Sequence, residues 1–398
     1  MHAFDHIGIL GPGFLTFLAG TFVAIMATVV LFGGRHHWWR WSGTLLSLIV
    51  ALCFAAASVN NHYAYLPNLG SLWGWRAADQ ANWTAVRSRL AGSVDARRRL
   101  GAGGAVVEMV IPGTVSHFHA RPATIYLPPA YFLHPQPALP VVELLHGTPG
   151  SPRDWTRSAG ADVTSDRYAW RHGGRAPILV SPDINGSFTA DSECTNGTDG
   201  NVETYLTVDV PRWVRMHLAS GQRARQWAIG GLSEGGTCAM DIALRHPAEF
   251  PTFLDFAGDL RITHTGGAIR LFRGKAAQRL VAVSSYDPVS LLEHFPRPGR
   301  LSAWFEVGAR DRGSAPAMKY LYRLAVQRGV HAHLVLTPDG HHSFRVWRRS
   351  FADSLAWLAR RLRLDQPHRG ARPFVAPVLA ARRKVVGTTP AMAALRKG

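Results

Sequence analysis

Gly231-Leu232-Ser233-Glu234-Gly235-Gly236 lies between an apolar run, Trp227-Ala228-Ile229, and a segment of small residues suited to a helix, Thr237 to Leu244. A G-x-S-x-G at a strand-to-helix junction forms a tight turn that projects the serine hydroxyl, and its glycines let neighbouring backbone come close. The chemistry this allows is attack by Ser233 on a carbonyl carbon. Glycine-rich turns of the same pattern occur by chance, so the flanking strand and helix carry most of the weight.

Serine is a poor nucleophile at its own pKa and needs a base within hydrogen-bond reach, plus an acid to hold that base in the right tautomer. With this type of elbow the acid and then the base follow later in the chain. After the strand-like run Ala303 to Val307 comes Gly308-Ala309-Arg310-Asp311, which puts Asp311 in a loop beyond a strand end. After the next such run comes Pro338-Asp339-Gly340-His341-His342-Ser343-Phe344, which offers two histidines for one role. The Ser-Phe-x-x-Trp pattern that follows favours His342, with His341 as the alternative. Asp287 suits a helix start, Asp259 follows an earlier strand and Asp339 suits a turn, so each is a weaker candidate for the acid.

An oxyanion formed at the carbonyl needs backbone N–H groups aimed at it, one from the residue after the nucleophile and one from an earlier loop. Glu234 is the expected first donor. Leu144-Leu145-His146-Gly147-Thr148-Pro149-Gly150 ends a strand of suitable order, and Thr148 is the expected second, since Pro149 has no N–H. His146 is expected to be structural. Trp155, Trp213 and Trp347 are candidates for lining an acyl or sugar cleft, or for ordinary core packing. His117 and His119 form an H-x-H read as alternate residues of a strand; no further ligand spacing supports a metal, and no cofactor is expected.

The elements that must position these residues alternate between strand and helix lengths, the pattern of a mainly parallel sheet covered on both faces. Expected strands are Ala105 to Ile111, Ala123 to Leu127, Leu139 to Leu145, Ile178 to Ser181, Gln226 to Ile229, Phe253 to Phe256, Ala303 to Val307 and His333 to Leu336. Expected helices are Val202 to Leu218, Thr237 to Arg245, Ala315 to Arg328 and Val346 to Leu362. The order is that of an α/β-hydrolase.

Two uncharged apolar runs, Phe14 to Phe32 and Ser42 to Val59, precede this unit, each close to the ~20 residues that cross a bilayer. Between them Arg35 and Arg40 sit beside Trp38, Trp39 and Trp41, which suits a headgroup region. By the positive-inside rule the connection is cytoplasmic and everything after Val59 is extracytoplasmic. The first residues carry no basic region of the kind that opens a cleaved signal. The reading is a retained transmembrane hairpin over 1–62, an interfacial segment and linker over 63–104 with a short helix around Trp83 to Leu90, a catalytic domain over 105–365 and a basic disordered tail over 366–398.

The formal net charge of +18 is concentrated in part in that tail, which holds seven basic residues from Arg369 to Lys397 and no acid. It is a candidate for contact with anionic lipid or wall polymer, or simply a solubilising segment. No aromatic stacking platform or DNA-reading helix accompanies the charge, so nucleic acid is not an expected partner. Cys53 falls in the second apolar run. Cys194 and Cys238 remain for the outer unit, where an oxidising compartment permits a disulfide between them.

Through YLPPAYF, LLHGTPGSPRDW, GLSEGGTCAMDIALRHP, FEVGARD and GHHSFRVW, the chain resembles the esterase family that includes S-formylglutathione hydrolases, feruloyl esterases and actinobacterial mycolyltransferases. The resemblance covers roughly Gly104 to Leu362 and is greatest to a membrane-anchored actinobacterial branch, in which a DSEC loop also occurs. It implies an α/β-hydrolase with Ser233, Asp311 and His342 as triad. The sequence departs from the mycolyltransferase pattern in its hairpin and in an aspartate where that group has a glutamate acid. The expected function is a membrane-anchored, extracytoplasmic serine esterase acting through an acyl-enzyme on an ester or acyl-lipid substrate. Acyl transfer to cell-envelope sugars or lipids is the first alternative, and a non-catalytic envelope-binding module the second.

Overall fold

The computed structural model describes residues 8–32, 37–70, 83–91, 103–264, 266–295 and 301–364. The expected basic tail, most of the linker and Arg35 lie outside the described residues.

Helices α1 (Pro12–Phe32) and α2 (His37–Tyr63) form an N-terminal pair, and both are long and apolar enough to cross a membrane, each with an 18-residue stretch of mean hydropathy above 2. They pack closely at Gly43, where a Cβ would collide with Val29, as small residues allow between apolar helices. Helix α3 (Trp83–Leu90) follows where a short helix was expected.

The core is one eight-stranded sheet of β1 (Ala105–Met109), β2 (Ala123–Leu127), β3 (Val141–Leu145), β4 (Ile178–Ser181), β7 (Trp227–Leu232), β8 (Thr252–Phe256), β9 (Ser302–Gly308) and β10 (His331–Thr337). A small separate hairpin supplies β5 (Asn196–Gly197) and β6 (Gly200–Asn201). The sheet order is β1-β2-β4-β3-β7-β8-β9-β10, antiparallel at the β1/β2 and β2/β4 pairs and parallel from β4 onward. This is an α/β-hydrolase arrangement. Alternate residues of each strand feed opposite faces: Val141, Leu145, Trp227, Ile229 and Phe253 enter one apolar layer, and Val142, Leu144, Ala228, Leu254 and Phe256 the other.

The sheet is flanked by helices α4 (Asp154–Arg157), α5 (Ala161–Arg171), α6 (Val210–His217), α7 (Glu234–Arg245), α8 (Ala276–Ser284), α9 (Pro288–His294), α10 (Ser314–Gln327) and α11 (Phe344–Arg361). Helix α7 covers the first face with α10. Helix α11 covers the second through Phe351, Leu355 and Leu358, each worth roughly 1.5–3 kcal/mol when removed from water.

Three expected elements differ in ways the backbone explains. β3 starts at Val141 rather than Leu139, because Pro140 has no N–H for the ladder and Leu139 makes only an isolated bridge to Ser220. β1 ends at Met109 rather than Ile111, and the next residue, Val110, is exposed ahead of Pro112. The run expected as one helix from Val202 to Leu218 is α-helical at Val202–Thr204, widens to a π turn at Tyr205–Asp209 and resumes as α6, with Pro211 removing the N–H that would bond back to Thr207. Helices α5 and α8 were not anticipated, whereas α9 begins just after Asp287, where a helix start was expected.

The end of the α1/α2 pair that holds Gly11 and Asn61 is stitched to the sheet domain. The Gly11 N–H donates to Asn61 Oδ1 (2.8 Å), and Asn60 clasps both N–H and C=O of Leu66 (2.8 Å each). Beyond the helix, Tyr65 donates to Asp154 Oδ1 (2.8 Å) and packs edge-on against Phe344 at the start of α11.

Candidate active site

β7 runs straight into Ser233, the N-cap of α7, which is held at φ 56° and ψ −128°. A non-glycine residue at positive φ is strained, and it persists here because the flanking residues take up so little space. A Cβ at Gly231 would collide with the Gly235 carbonyl, and one at Gly235 with the carbonyls of Leu145 and His146. The turn lies at the carboxyl ends of the parallel strands, where open α/β sheets place their sites.

Asp311 follows β9 and His342 follows β10, two strands that pair in parallel register, so their following loops open side by side. His342 Nε2 lies 3.0 Å from Ser233 Oγ, and His342 Nδ1 lies 2.7 Å from Asp311 Oδ2. The Asp311 carboxyl is buried, which alone would raise its pKa. Its hydrogen bonds to His342 and to the Ser314 N–H (3.0 Å) outweigh that and hold it below the ordinary carboxylate range. Trp347 sits edge-on to His342 with centroids 5.0 Å apart, closing one side of the ring. His341 is exposed and faces the ring of His62 at 5.9 Å instead.

Of the other acids weighed from the sequence, Asp287 caps α9 by accepting from the Ser290 N–H (3.1 Å). Asp339 pairs with Arg310 (2.5 Å). Asp259 follows β8 and is raised by burial.

The loop after β3 brings Thr148 against Glu234, the residue after Ser233. The Thr148 hydroxyl donates to the Glu234 carboxyl, and Asn185 Nδ2 reaches both Thr148 Oγ1 (2.7 Å) and Glu234 Oε2 (3.0 Å). Glu234 is pushed up to about 8, by burial first and by the nearby Asp191 charge second. Glu193 of the same loop is also raised well above its ordinary value, by burial and then by Glu234 and Asp191. Its carboxyl accepts from the Thr263 N–H (2.6 Å). The disulfide Cys194–Cys238 ties this loop to α7.

His146 is fully buried and takes a bracing place: its Nε2 lies 3.2 Å from Asp183 Oδ1, which also accepts from Arg121 (2.6 Å). Burial opposes ionisation of Asp183, but these bonds hold it far below the ordinary range. Of the three tryptophans considered for a cleft, Trp347 alone touches His342. Trp155 is fully buried with Nε1 donating to the Leu145 carbonyl (2.9 Å), and Trp213 is in the core, stacked on His217. Neither lines a cleft. His117 and His119 lie in the β1–β2 connection and not on a strand, and among the described residues no group of three His, Cys, Asp or Glu is placed to hold a metal ion.

Asn185, Asp183 and Ser314 also belong to the site and carry no motif of their own in the sequence. Each follows a strand end within a few residues in Ser181-Pro-Asp-Ile-Asn185 or Gly308-Ala-Arg-Asp-Arg-Gly-Ser314, a positional signal without a motif.

The family model described as "Putative esterase" matches residues 118–358. An uncharacterized protein of Corynebacterium glutamicum is 34% identical over 325 residues, covering 79% of this chain and 74% of that one. Among solved structures, a ferulic acid esterase aligns with a TM-score of 0.55 at 17% identity, over 66% of this chain and 99% of its own. An S-formylglutathione hydrolase from Agrobacterium tumefaciens aligns with a TM-score of 0.54 at 20% identity, over 66% of this chain and 97% of its own. At these identities the two structures bear on the fold alone.

Proposed function

The chain belongs to the putative esterase family, and on that premise we propose that it is a membrane-anchored serine esterase that cleaves carboxylic esters outside the cytoplasm through an acyl-enzyme on Ser233. The observation that carries the reading is the bridging position of the His342 ring, 3.0 Å from Ser233 Oγ on one side and 2.7 Å from Asp311 on the other. His342 takes the serine proton as Oγ attacks the ester carbonyl, while Asp311 stays ionised and stabilises the imidazolium. The oxyanion is held by the N–H groups of Glu234 and Thr148, the first at the N-terminus of α7, where the helix dipole favours negative charge. His342 then returns the proton to the leaving alcohol, and water repeats the sequence to release the acid.

Residues 1–62 are the anchor in this reading, 63–104 the interfacial segment and linker, 105–365 the catalytic unit and 366–398 a basic tail. Support for the anchor comes from the length and hydropathy of α1 and α2, and support for the outer location from the Arg and Trp residues between them and from the disulfide.

A p-nitrophenyl ester series of increasing acyl length, run with the full chain in detergent and with Ser233→Ala, tests the reading. Release of free acid by the wild type alone is expected. Retention of a radiolabelled acyl group on trehalose or another polyol, at the expense of free acid, would replace hydrolysis by acyl transfer.

A further inference from the structure

The domain end of the hairpin contains a cleft that the hydrolytic chemistry does not use. It has a volume of about 630 Å³ and separates Ser58, Asn61 and His62 of α2 from His341, Arg345 and Arg349 on the loop after β10 and the first turns of α11. Neither Ser233 nor His342 lines it. Arg345 and Arg349 are both exposed, Arg349 sharing its charge with Asp353 (3.2 Å) on its own helix. The one carboxylate in the lining, Asp339, is already matched by Arg310. The cleft therefore carries an excess of positive charge and offers hydroxyl, amide, imidazole and guanidinium groups.

Its depth follows from helix geometry. With 27 residues, α2 is about 40 Å long, against a hydrocarbon core of about 30 Å. If the connection between the helices lies at the opposite face, the last turns of α2, from Ser58 to Tyr63, emerge among the headgroups. Leu15, in the first turn of α1, lines the same cleft and opens it toward the apolar flank of the hairpin. A cationic pocket at headgroup depth with one apolar wall fits an amphiphile whose head is a phosphate and whose tail stays in the bilayer.

We propose that this cleft binds the headgroup of an anionic phospholipid, with Arg345 and Arg349 on the phosphate and the acyl chains beside Leu15. The proposal rests on the anchored reading given above. It adds a lipid site distinct from the ester-cleaving one, joined to it through the His341–His342 peptide.

The test uses the full chain in nanodiscs of phosphatidylcholine doped with phosphatidylglycerol, released and weighed by native mass spectrometry. One phosphatidylglycerol retained per chain is expected, with R345Q/R349Q weakening retention about tenfold or more and R345K/R349K largely preserving it. Excess glycerol phosphate in solution should leave the bound lipid in place. Equal retention by R345Q/R349Q, equal retention of phosphatidylcholine, or displacement by glycerol phosphate would each overturn the proposal, the last by making the cleft a free-anion site. Both arginines are exposed, so the variants should melt within a few degrees of wild type, and the lysine variant keeps the test valid if the glutamine variant does not. Alkaline extraction separates the two readings: a chain stripped from the membrane removes the anchored reading and the proposal with it. A chain that stays but holds no phosphatidylglycerol overturns the proposal alone.

Discussion

His341 and His342 are adjacent in the chain and face different partners: His342 bridges Ser233 and Asp311, whereas His341 turns to His62 at the end of α2. The split follows from the turn after β10, in which the Gly340 carbonyl accepts from the Arg310 N–H (2.8 Å) and α11 begins at Phe344. Substituting the two histidines separately distinguishes their roles. His342→Ala should lower kcat/KM for a simple ester by about 10³-fold or more, the scale of losing a triad base, while His341→Ala should stay within a few-fold. Comparable losses in both variants would contradict the assignment.

Glu234 links stability to pH. Its folded pKa of about 8 stands above the ordinary carboxylate value, so between the two the folded state holds a proton that the unfolded state has released. The resulting stability is full below about pH 4.5 and is lost progressively as pH rises toward 8. Glu234→Gln keeps the backbone N–H and removes the titration, so it should flatten this part of the melting-temperature profile. An unchanged slope in the variant would place the titration elsewhere, for instance in Asp255, which burial pushes up to about 7.

The Cys194–Cys238 bridge spans 44 residues and joins the Asp191–Glu193 loop to the helix that begins just after Ser233. Replacing both cysteines with serine should lower stability by about 2–4 kcal/mol, by the loop-closure argument. It should also slow turnover, because the loop braces Glu234. Thermal melts and ester kinetics on the double variant check both effects, and a melt equal to wild type would show that the bridge constrains little.

Asp183 lies fully buried between Arg121 and His146. Asp183→Ala leaves those groups without their acceptor and should cost about 3–5 kcal/mol, the range for breaking a buried pair. Chemical denaturation measures this directly. A loss under about 1 kcal/mol would mean that the buried pair contributes little to stability.

Much of this was legible in the sequence because the chemistry left short, local patterns. The elbow around Ser233 requires glycines on both sides, and the order of Asp311 and the histidine pair after two further strands follows the chain. The apolar runs of α1 and α2 are plain from composition. Elements that depend on non-local packing were not legible: Asn185 and Asp183 sit after a strand without motif residues, and helix α5 buries only Ala161, Ser165 and Ala169. The π turn at Tyr205–Asp209 arises from one proline inside an otherwise helical pattern, and Trp155 and Trp213 were drawn into the core by neighbours distant in the chain.

The proposed chemistry requires Ser233 to be an activated nucleophile. Labelling the detergent-solubilised full chain with a fluorophosphonate, followed by peptide mapping, tests it most directly. A covalent adduct on Ser233, absent from Ser233→Ala and strongly reduced in His342→Ala, is the expected result. A folded wild-type chain that takes up no label at Ser233 would contradict the account and leave a non-catalytic envelope-binding protein as the better reading.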